Sequence, residues 1–256
     1  MESKSKDRIT ADVSILEDLL YTGSVREICP YLPGKNSNLI FLDGESLGLA
    51  YRIMMDGGYR RYGRFLYRTD CPECFECKVI RIPVDEFKMS GSQKRIWKKG
   101  NSVFNYTIGM PERTDEKESL YKKYLAHQHA TVLKPDESTD DGSSYDFFFK
   151  ETFIPKNTKE LKLYFNEKLC GIGIMDYVSD ALSSVYFFFD PDIARFSPGT
   201  YTILLEINIA RELGMKYYYP GFYIRDAKTM SYKSNFRPCY IRDRITGEWT
   251  PFADGM

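Results

Sequence analysis

Three cysteines at even spacing, in Cys71-Pro-Glu-Cys74-Phe-Glu-Cys77, form the densest group of chemically competent side chains in the sequence. Three thiolates so spaced can converge on one metal ion. A closed zinc or iron–sulfur site needs a fourth ligand, for which Cys29 in another turn-rich segment is the best candidate. The other reading is a loop packed by free thiols, or a redox-sensitive pair without metal, and the spacing does not separate the two. Cys170 and Cys239 read as ordinary core or surface residues. Histidine-assisted nucleophilic catalysis finds little support, because His127 and His129 are the only two histidines and neither stands near a candidate nucleophile. Gly171-Ile-Gly173 sits inside a strand pattern with no helix after it, so it is no phosphate-cradling loop. What remains is a strand-terminal Asp190, tyrosines clustered around Pro220-Gly221, and two basic segments. Such a set suits the binding of a nucleic acid that itself carries the reactive group.

The elements that must position these residues are clearest over 184–238. Ser184 to Phe189 is a run of aromatic and β-branched residues too apolar for an exposed face, which predicts a buried central strand ended by Asp190-Pro191. After Ser197-Pro198-Gly199, the apolar positions Tyr201, Leu204, Leu205, Ile209 and Leu213 have helical spacing, with Gly214 as the stop. Met215 to Tyr219 reads as the next strand, broken at Pro220-Gly221 where a sheet can splay and admit a ligand backbone. Strand, helix, strand and basic loop in this order suggest an acyl-transfer core.

Upstream, Leu161–Phe165, Lys168–Asp176 and Ala181–Phe189 predict an antiparallel meander, with turns at Asn166-Glu167 and Ser179-Asp180. A helix is expected over Glu116–Ala130 with Leu120, Tyr124 and His127 on one face, and a flexible polar loop over 134–144. In the first part of the chain we expect a leader ending near Ile28, a helix from Ser46 to Met55, and a hairpin of Phe65–Tyr67 with Lys78–Val84 bearing the cysteines at its tip. A basic helix over Ser92–Lys99, stopped by Gly100-Asn101, should follow. The expected division is 1–101 and 102–256.

At 256 residues and 43% apolar content the chain can bury a substantial core. It shows neither a signal-peptide run at its start nor the roughly 18 apolar residues of a membrane span, so a cytoplasmic protein without a membrane partner is expected. The net charge of zero argues against a general DNA coat. It is unevenly distributed, however: residues 58–101 hold eleven Lys/Arg against five Asp/Glu, and 211–244 hold eight against three.

Several motifs occur in order over residues 29–250. They are Gly58-Tyr-Arg-Arg-Tyr-Gly63, the cysteine loop with Val79-Ile-Arg-Ile-Pro-Val84, and Ser90-Gly-Ser-Gln-Lys-Arg95. Further on come Val185-Tyr-Phe-Phe-Phe-Asp-Pro191, Tyr218-Tyr-Pro-Gly-Phe-Tyr-Ile224 and Met230-Ser-Tyr-Lys233. Together they resemble the aminoacyl-tRNA-protein transferases, the arginyl and the aspartate/glutamate leucyl enzymes. The resemblance implies transfer of an amino acid from aminoacyl-tRNA to the N-terminal amine of proteins beginning with Asp or Glu, which marks them for degradation. It implies an α+β fold, with an acetyltransferase-like (GNAT) C-terminal domain of mixed, mostly antiparallel sheet and a smaller N-terminal α+β domain carrying the cysteine loop. Chain length favours leucine as donor, whereas Tyr217–Ile224 looks closer to the arginyl type. A non-catalytic tRNA- or N-degron-binding module is the reading from another class.

An aminoacyl ester is already activated, so no cofactor is required for the chemistry, and positioning is expected to outweigh nucleophilic catalysis. Under the resemblance, Arg60, Arg61 and Arg64 would clamp the acceptor's carboxylate. Asp190 would hold the incoming ammonium or take its proton, and Tyr186, Tyr219 and Tyr232 would line the aminoacyl pocket or donate to the oxyanion. Lys94, Arg95, Lys98, Lys99, Lys228 and Lys233 would contact the tRNA backbone. A monomer is expected.

Overall fold

The computed structural model describes residues 12–128 and 145–253. The expected polar loop over 134–144, His129 and Ala130 lie outside these residues.

The N-terminal part is a four-stranded antiparallel sheet of β1 (Tyr21–Ile28), β2 (Asn36–Asp43), β3 (Arg60–Tyr62) and β4 (Phe65–Thr69), in the order β1-β2-β4-β3. Helical residues 12–20 (α1) and α2 (Tyr51–Asp56) supply Val13, Tyr51, Met54 and Met55 to its core, against Leu42, Tyr59 and Leu66. Ile28 thus ends a strand, not a leader. The helix expected from Ser46 begins instead as a 3-10 turn at Gly48–Ala50.

The larger sheet has eight strands: β5 (Lys78–Pro83), β6 (Phe104–Gly109), β7 (Thr158–Phe165), β8 (Lys168–Val178), β9 (Ala181–Phe189), β10 (Tyr217–Tyr223), β11 (Tyr240–Arg242) and β12 (Trp249–Pro251). Their order is β12-β11-β5-β10-β9-β8-β7-β6. Every neighbouring pair is antiparallel except β9 with β10. The fold is therefore mixed α+β, with a mixed, mostly antiparallel sheet. The β7–β8–β9 meander forms where the strand segments and their turns predicted it, and positive φ at Asn166 and Glu167 (49° and 64°) gives the first turn the twist that two-residue hairpins favour.

Two expectations fail for identifiable reasons. β4 pairs with β2 and β3, while β5 pairs with β10 and β11, so the cysteine loop is a crossover between sheets and not a hairpin tip. β5 buries four of its six residues and is paired along both edges, by β10 and by β11. The change of sheet therefore falls between Thr69 and Lys78, and α3 (Gly91–Val103) packs with the larger sheet. Gly100 does not stop α3. It lies inside the helix because a Cβ there would sit 2.1 Å from the Tyr201 ring.

β9 and β10 are joined through a 3-10 turn (Pro191–Phe196) and α5 (Pro198–Glu212), a crossover between parallel strands. Pro198 at the first turn and Gly214 at φ 66° bound the helix. α3 and α5 cover one face of the sheet, and α4 (Asp115–Gln128) with the π-turn Asp146–Lys150 covers the other. On α4, Leu120 and Tyr124 pack as expected, whereas His127 one turn later is exposed. No helix among the described residues is long and apolar enough to cross a membrane.

Candidate active site

β9 and β10 pair only through Tyr217↔Ala181, Tyr218↔Leu182 and Tyr219↔Ser183. Pro220 then offers no N–H to continue the ladder. β10 also shifts register against β5 between Tyr218 and Gly221, and β9 shifts against β8 between Ile174 and Met175. Two strands irregular at the same level part there, so the expected splay at Pro220-Gly221 exists.

Charged side chains from three elements enter this gap. Arg60 on β3 donates through Nη2 to the carbonyls of Ser184 and Tyr219, one on each parted strand, and its Nη1 has no hydrogen-bond partner among the described residues. Glu206 on α5 accepts from the Tyr218 hydroxyl at Oε2, while Oε1 has no hydrogen-bond partner among the described residues. Lys233, in the 3-10 turn Tyr232–Asn235, places Nζ 3.1 Å from Met230 Sδ. Glycines keep the gap open: a Cβ at residue 173 would lie 3.5 Å from Glu206 Oε1, and one at residue 221 would lie 3.3 Å from Lys233 Nζ and 4.0 Å from Arg60 Nη2. At φ 105°, residue 221 favours glycine in any case.

The three charged groups are 4%, 0% and 9% exposed for Arg60, Glu206 and Lys233, so water does little to screen them. Burial pushes the Glu206 carboxyl up to about 7, partly offset by the Tyr218 and Ser184 hydroxyls and the Arg60 charge. Burial, and secondarily Arg60, pushes the Lys233 ammonium down to about 7. A carboxylate and an amine both brought to near neutrality beside an arginine with an unused N–H face can bind a carboxylate and exchange a proton.

The predicted site residues separate. Arg60 is at the gap. Arg61 points away into a fully buried ion pair with Asp176 (2.7 Å), whose other contacts are the hydroxyls of Tyr51 (3.1 Å) and Thr158 (2.8 Å). Arg64 is exposed and faces Glu151 at 3.3 Å. Three arginines close in sequence therefore do not form one clamp, because strand alternation turns Arg61 to the opposite face from Arg60. Arg61→Ala should strand the Asp176 charge in the core and lower stability by about 3–5 kcal/mol. The melting temperature would fall by roughly 10 °C in a thermal scan. An unchanged melting temperature, with transfer lost only to acidic acceptors, would return Arg61 to the clamp.

Asp190 caps the 3-10 turn after β9, pairs with Lys123 Nζ at 2.6 Å, and is held below the usual carboxylate range despite partial burial. It stands six positions beyond Ser184 along the strand, roughly 20 Å from the gap at the rise of extended chain. Tyr186 packs among Tyr121, Phe149 and Phe188 beneath α4. The Tyr219 hydroxyl donates to Asp56 Oδ1 at 2.6 Å within the N-terminal core, so only its carbonyl serves the gap. Of the predicted tyrosines, Tyr232 is beside the site, with its phenol held above its ordinary value by burial and then by the Glu206 charge.

Lys233 is buried in the gap and so is no tRNA-backbone contact, whereas Lys94, Arg95, Lys98, Lys99 and Lys228 are exposed. Glu206 and Tyr218 escaped the sequence reading. The visible signal for the first was a lone carboxylate in the otherwise uncharged run Ile203–Ala210.

The fold brings Cys29 to the cysteine loop. The Cys77 thiol is pushed up to about 12 by burial and then by neighbouring Cys29, Cys71 and Cys74. Backbone N–H groups of Leu32 and Asn38 donate to the sulfurs of Cys29 (3.4 Å) and Cys71 (3.3 Å). Among the described residues, however, no group of three or more His, Cys, Asp or Glu is arranged to hold a metal ion. The four thiols do not fit a zinc or iron–sulfur centre as they stand, and no chemical step passes through them.

Similarity to known proteins extends over most of the chain. Aspartate/glutamate leucyltransferases are 34% identical over 230 residues in Leptospira interrogans (88% of this chain, 87% of that one) and 36% identical over 219 residues in Nitrosococcus oceani (83% and 88%). One from Acinetobacter baumannii is 31% identical over 244 residues (92% and 85%). Among solved structures, FemX matches at TM-score 0.49 and 7% identity, over 89% of this chain and 88% of that one. The family models for the N terminus and C terminus of arginine-tRNA-protein transferase match residues 27–95 and 116–243, and with relatives of this identity across most of its length the chain belongs to that family of aminoacyl-tRNA-protein transferases.

Proposed function

We propose that this transferase, as a cytoplasmic monomer, moves leucine from leucyl-tRNA to the N-terminal amine of proteins beginning with Asp or Glu. The observation that carries this reading is the gap between β9 and β10. There Arg60 Nη1 and Glu206 Oε1 are buried beside Lys233 without hydrogen-bond partners among the described residues. Buried polar atoms left unsatisfied in a native fold need a water, an ion or a substrate group as partner, and here two of opposite charge meet at a break between strands.

Arg60 and Lys233 hold the acceptor's side-chain carboxylate, the guanidinium acting also as a brace between the two parted strands. The α-amine attacks the ester carbonyl carbon, the bond from that carbon to the tRNA's ribose oxygen breaks, and a peptide bond forms. Glu206 takes a proton from the attacking amine, and the ribose oxygen leaves as a hydroxyl. An α-amine with pKa near 8 needs only about 1 kcal/mol to be neutral at pH 7, so a carboxylate tuned to about 7 is a sufficient base. The parted parallel pair with its α5 crossover supports an acetyltransferase-like reading of the larger sheet.

Leucine rests on the names of the full-length relatives. The test is transfer from leucyl- and, separately, arginyl-tRNA to a peptide beginning with Asp, read by product mass. A leucine increment supports the reading, an arginine increment replaces the donor, and no product from either removes it.

A further inference from the structure

Between the first turn of α3 and the first turn of α5 lies a half-open cavity of about 410 Å³, walled by Ser92, Ile96, Thr200, Tyr232 and Phe236 with Arg237 at its rim. None of the residues that carry the proposed chemistry lines it, yet Tyr232 joins it to the gap. The Tyr232 phenol lies within reach of the Glu206 charge, and its oxygen is 3.8 Å from where a Cβ on Gly199 would sit.

Four features make this a site for the end of a nucleic acid. The volume falls within the roughly 300–1,000 Å³ of small-ligand pockets. The wall includes the partly exposed ring of Tyr232, backed by the buried Phe236, and an aromatic ring stacks on any base. α5 opens without a side-chain cap, leaving the N–H groups of its first turn for an anion or a sugar oxygen, while Ser92 and Thr200 add hydroxyls. The same helix α3 that walls the cavity with Ser92 and Ile96 presents Lys94, Arg95, Lys98 and Lys99 to solvent, a basic run suited to phosphates.

We propose that this cavity seats the 3′-terminal nucleotide of the donor tRNA, with the preceding phosphates on the basic face of α3. The aminoacyl group on the terminal ribose then passes Tyr232 into the gap where Arg60, Glu206 and Lys233 hold the acceptor. This rests on the aminoacyl-tRNA reading above.

The test titrates uncharged tRNA, intact or lacking its 3′-terminal nucleotide, against the wild-type protein and Thr200→Trp at one fixed salt concentration. Wild type should prefer intact tRNA by about tenfold, the order of one base–aromatic stack. Thr200→Trp, its cavity filled, should bind both forms with the affinity wild type shows for the trimmed one. Retained preference in Thr200→Trp, or no preference in wild type, overturns the proposal. If the Thr200 variant does not fold, Ser92→Trp on the opposite wall serves in its place. Because the tRNA is uncharged, this result is independent of transfer. Failure of the transferase reading shows separately, as no product from either charged tRNA.

Discussion

Glu206→Gln should lower kcat/KM about 100-fold, the low end of what a positioned general base contributes, because the ester is activated and the amine is only weakly basic. The pH profile should move as well. In the wild type the rate rises as the Glu206 carboxyl loses its proton near 7 and falls as the Lys233 ammonium loses its own near 7. The result is a narrow bell whose apparent pKa values belong to the site as a whole. In the variant the rising limb should shift to the acceptor amine itself, about 7.7–8.0.

Stability distinguishes this role from a structural one. The folded-state pKa of Glu206 is raised from an ordinary 4.5 to about 7, so its stabilising contribution is complete below 4.5 and is lost as pH rises through 7. Above pH 7 the buried carboxylate costs about 3 kcal/mol, which Gln does not incur. Glu206→Gln should therefore melt several degrees higher than wild type at pH 8 while losing activity, and show no such gain at pH 4. A variant that loses melting temperature and activity together at pH 8 would mark Glu206 as a structural acceptor for Tyr218.

The larger sheet was legible because its signals are local. Near-continuous apolar runs punctuated by short polar turns over 158–189, and the apolar helix bounded by Pro198 and Gly214, each specify one element without help from the rest. The splay was legible too, since a proline ends pairing wherever it stands. Which side chains point into it was not. Tyr218 and Tyr219 are adjacent and chemically identical, and only the register of β10 against β9 sends one hydroxyl to Glu206 and the other to Asp56. Arg60 and Arg61 are separated by the same parity. Lys233 looked like one more basic residue in a basic segment, and its burial follows from a 3-10 turn folding back beneath Gly221. Asp190 stands at a strand end, where a turn cap and a lysine partner on α4 account for an aspartate without chemistry. The cysteine loop was assigned to a hairpin because nothing local announces that its two flanking strands belong to different sheets.

Lys233→Met should reduce kcat/KM for a peptide beginning with Asp by on the order of 100-fold, near the value of one charge-assisted hydrogen bond in a dry site, and change it less than about threefold for one beginning with Asn. The contrast between acceptors is the diagnostic quantity, since a general loss of structure would lower both alike. Arg60→Lys should also lose the Asp preference, because an ammonium donates from a single nitrogen and lacks the second terminal NH2 with which the guanidinium can face a carboxylate while Nη2 holds the Ser184 and Tyr219 carbonyls. The pH dependence of stability supplies an independent sign. The folded-state pKa of Lys233 is depressed from 10.5 to about 7, so the stability of the wild type falls as pH drops from 10.5 through 7, where the buried amine must take up its proton. Lys233→Met should therefore gain melting temperature over wild type most at pH 6, on the opposite side of neutrality from Glu206→Gln. Two buried groups of opposite charge, each stabilising when neutralised and each needed for transfer, identify a gap kept for a substrate bearing both a carboxylate and an amine. An equal loss for Asp and Asn acceptors in both variants would assign Arg60 and Lys233 to holding the strands apart and leave acceptor choice to other residues.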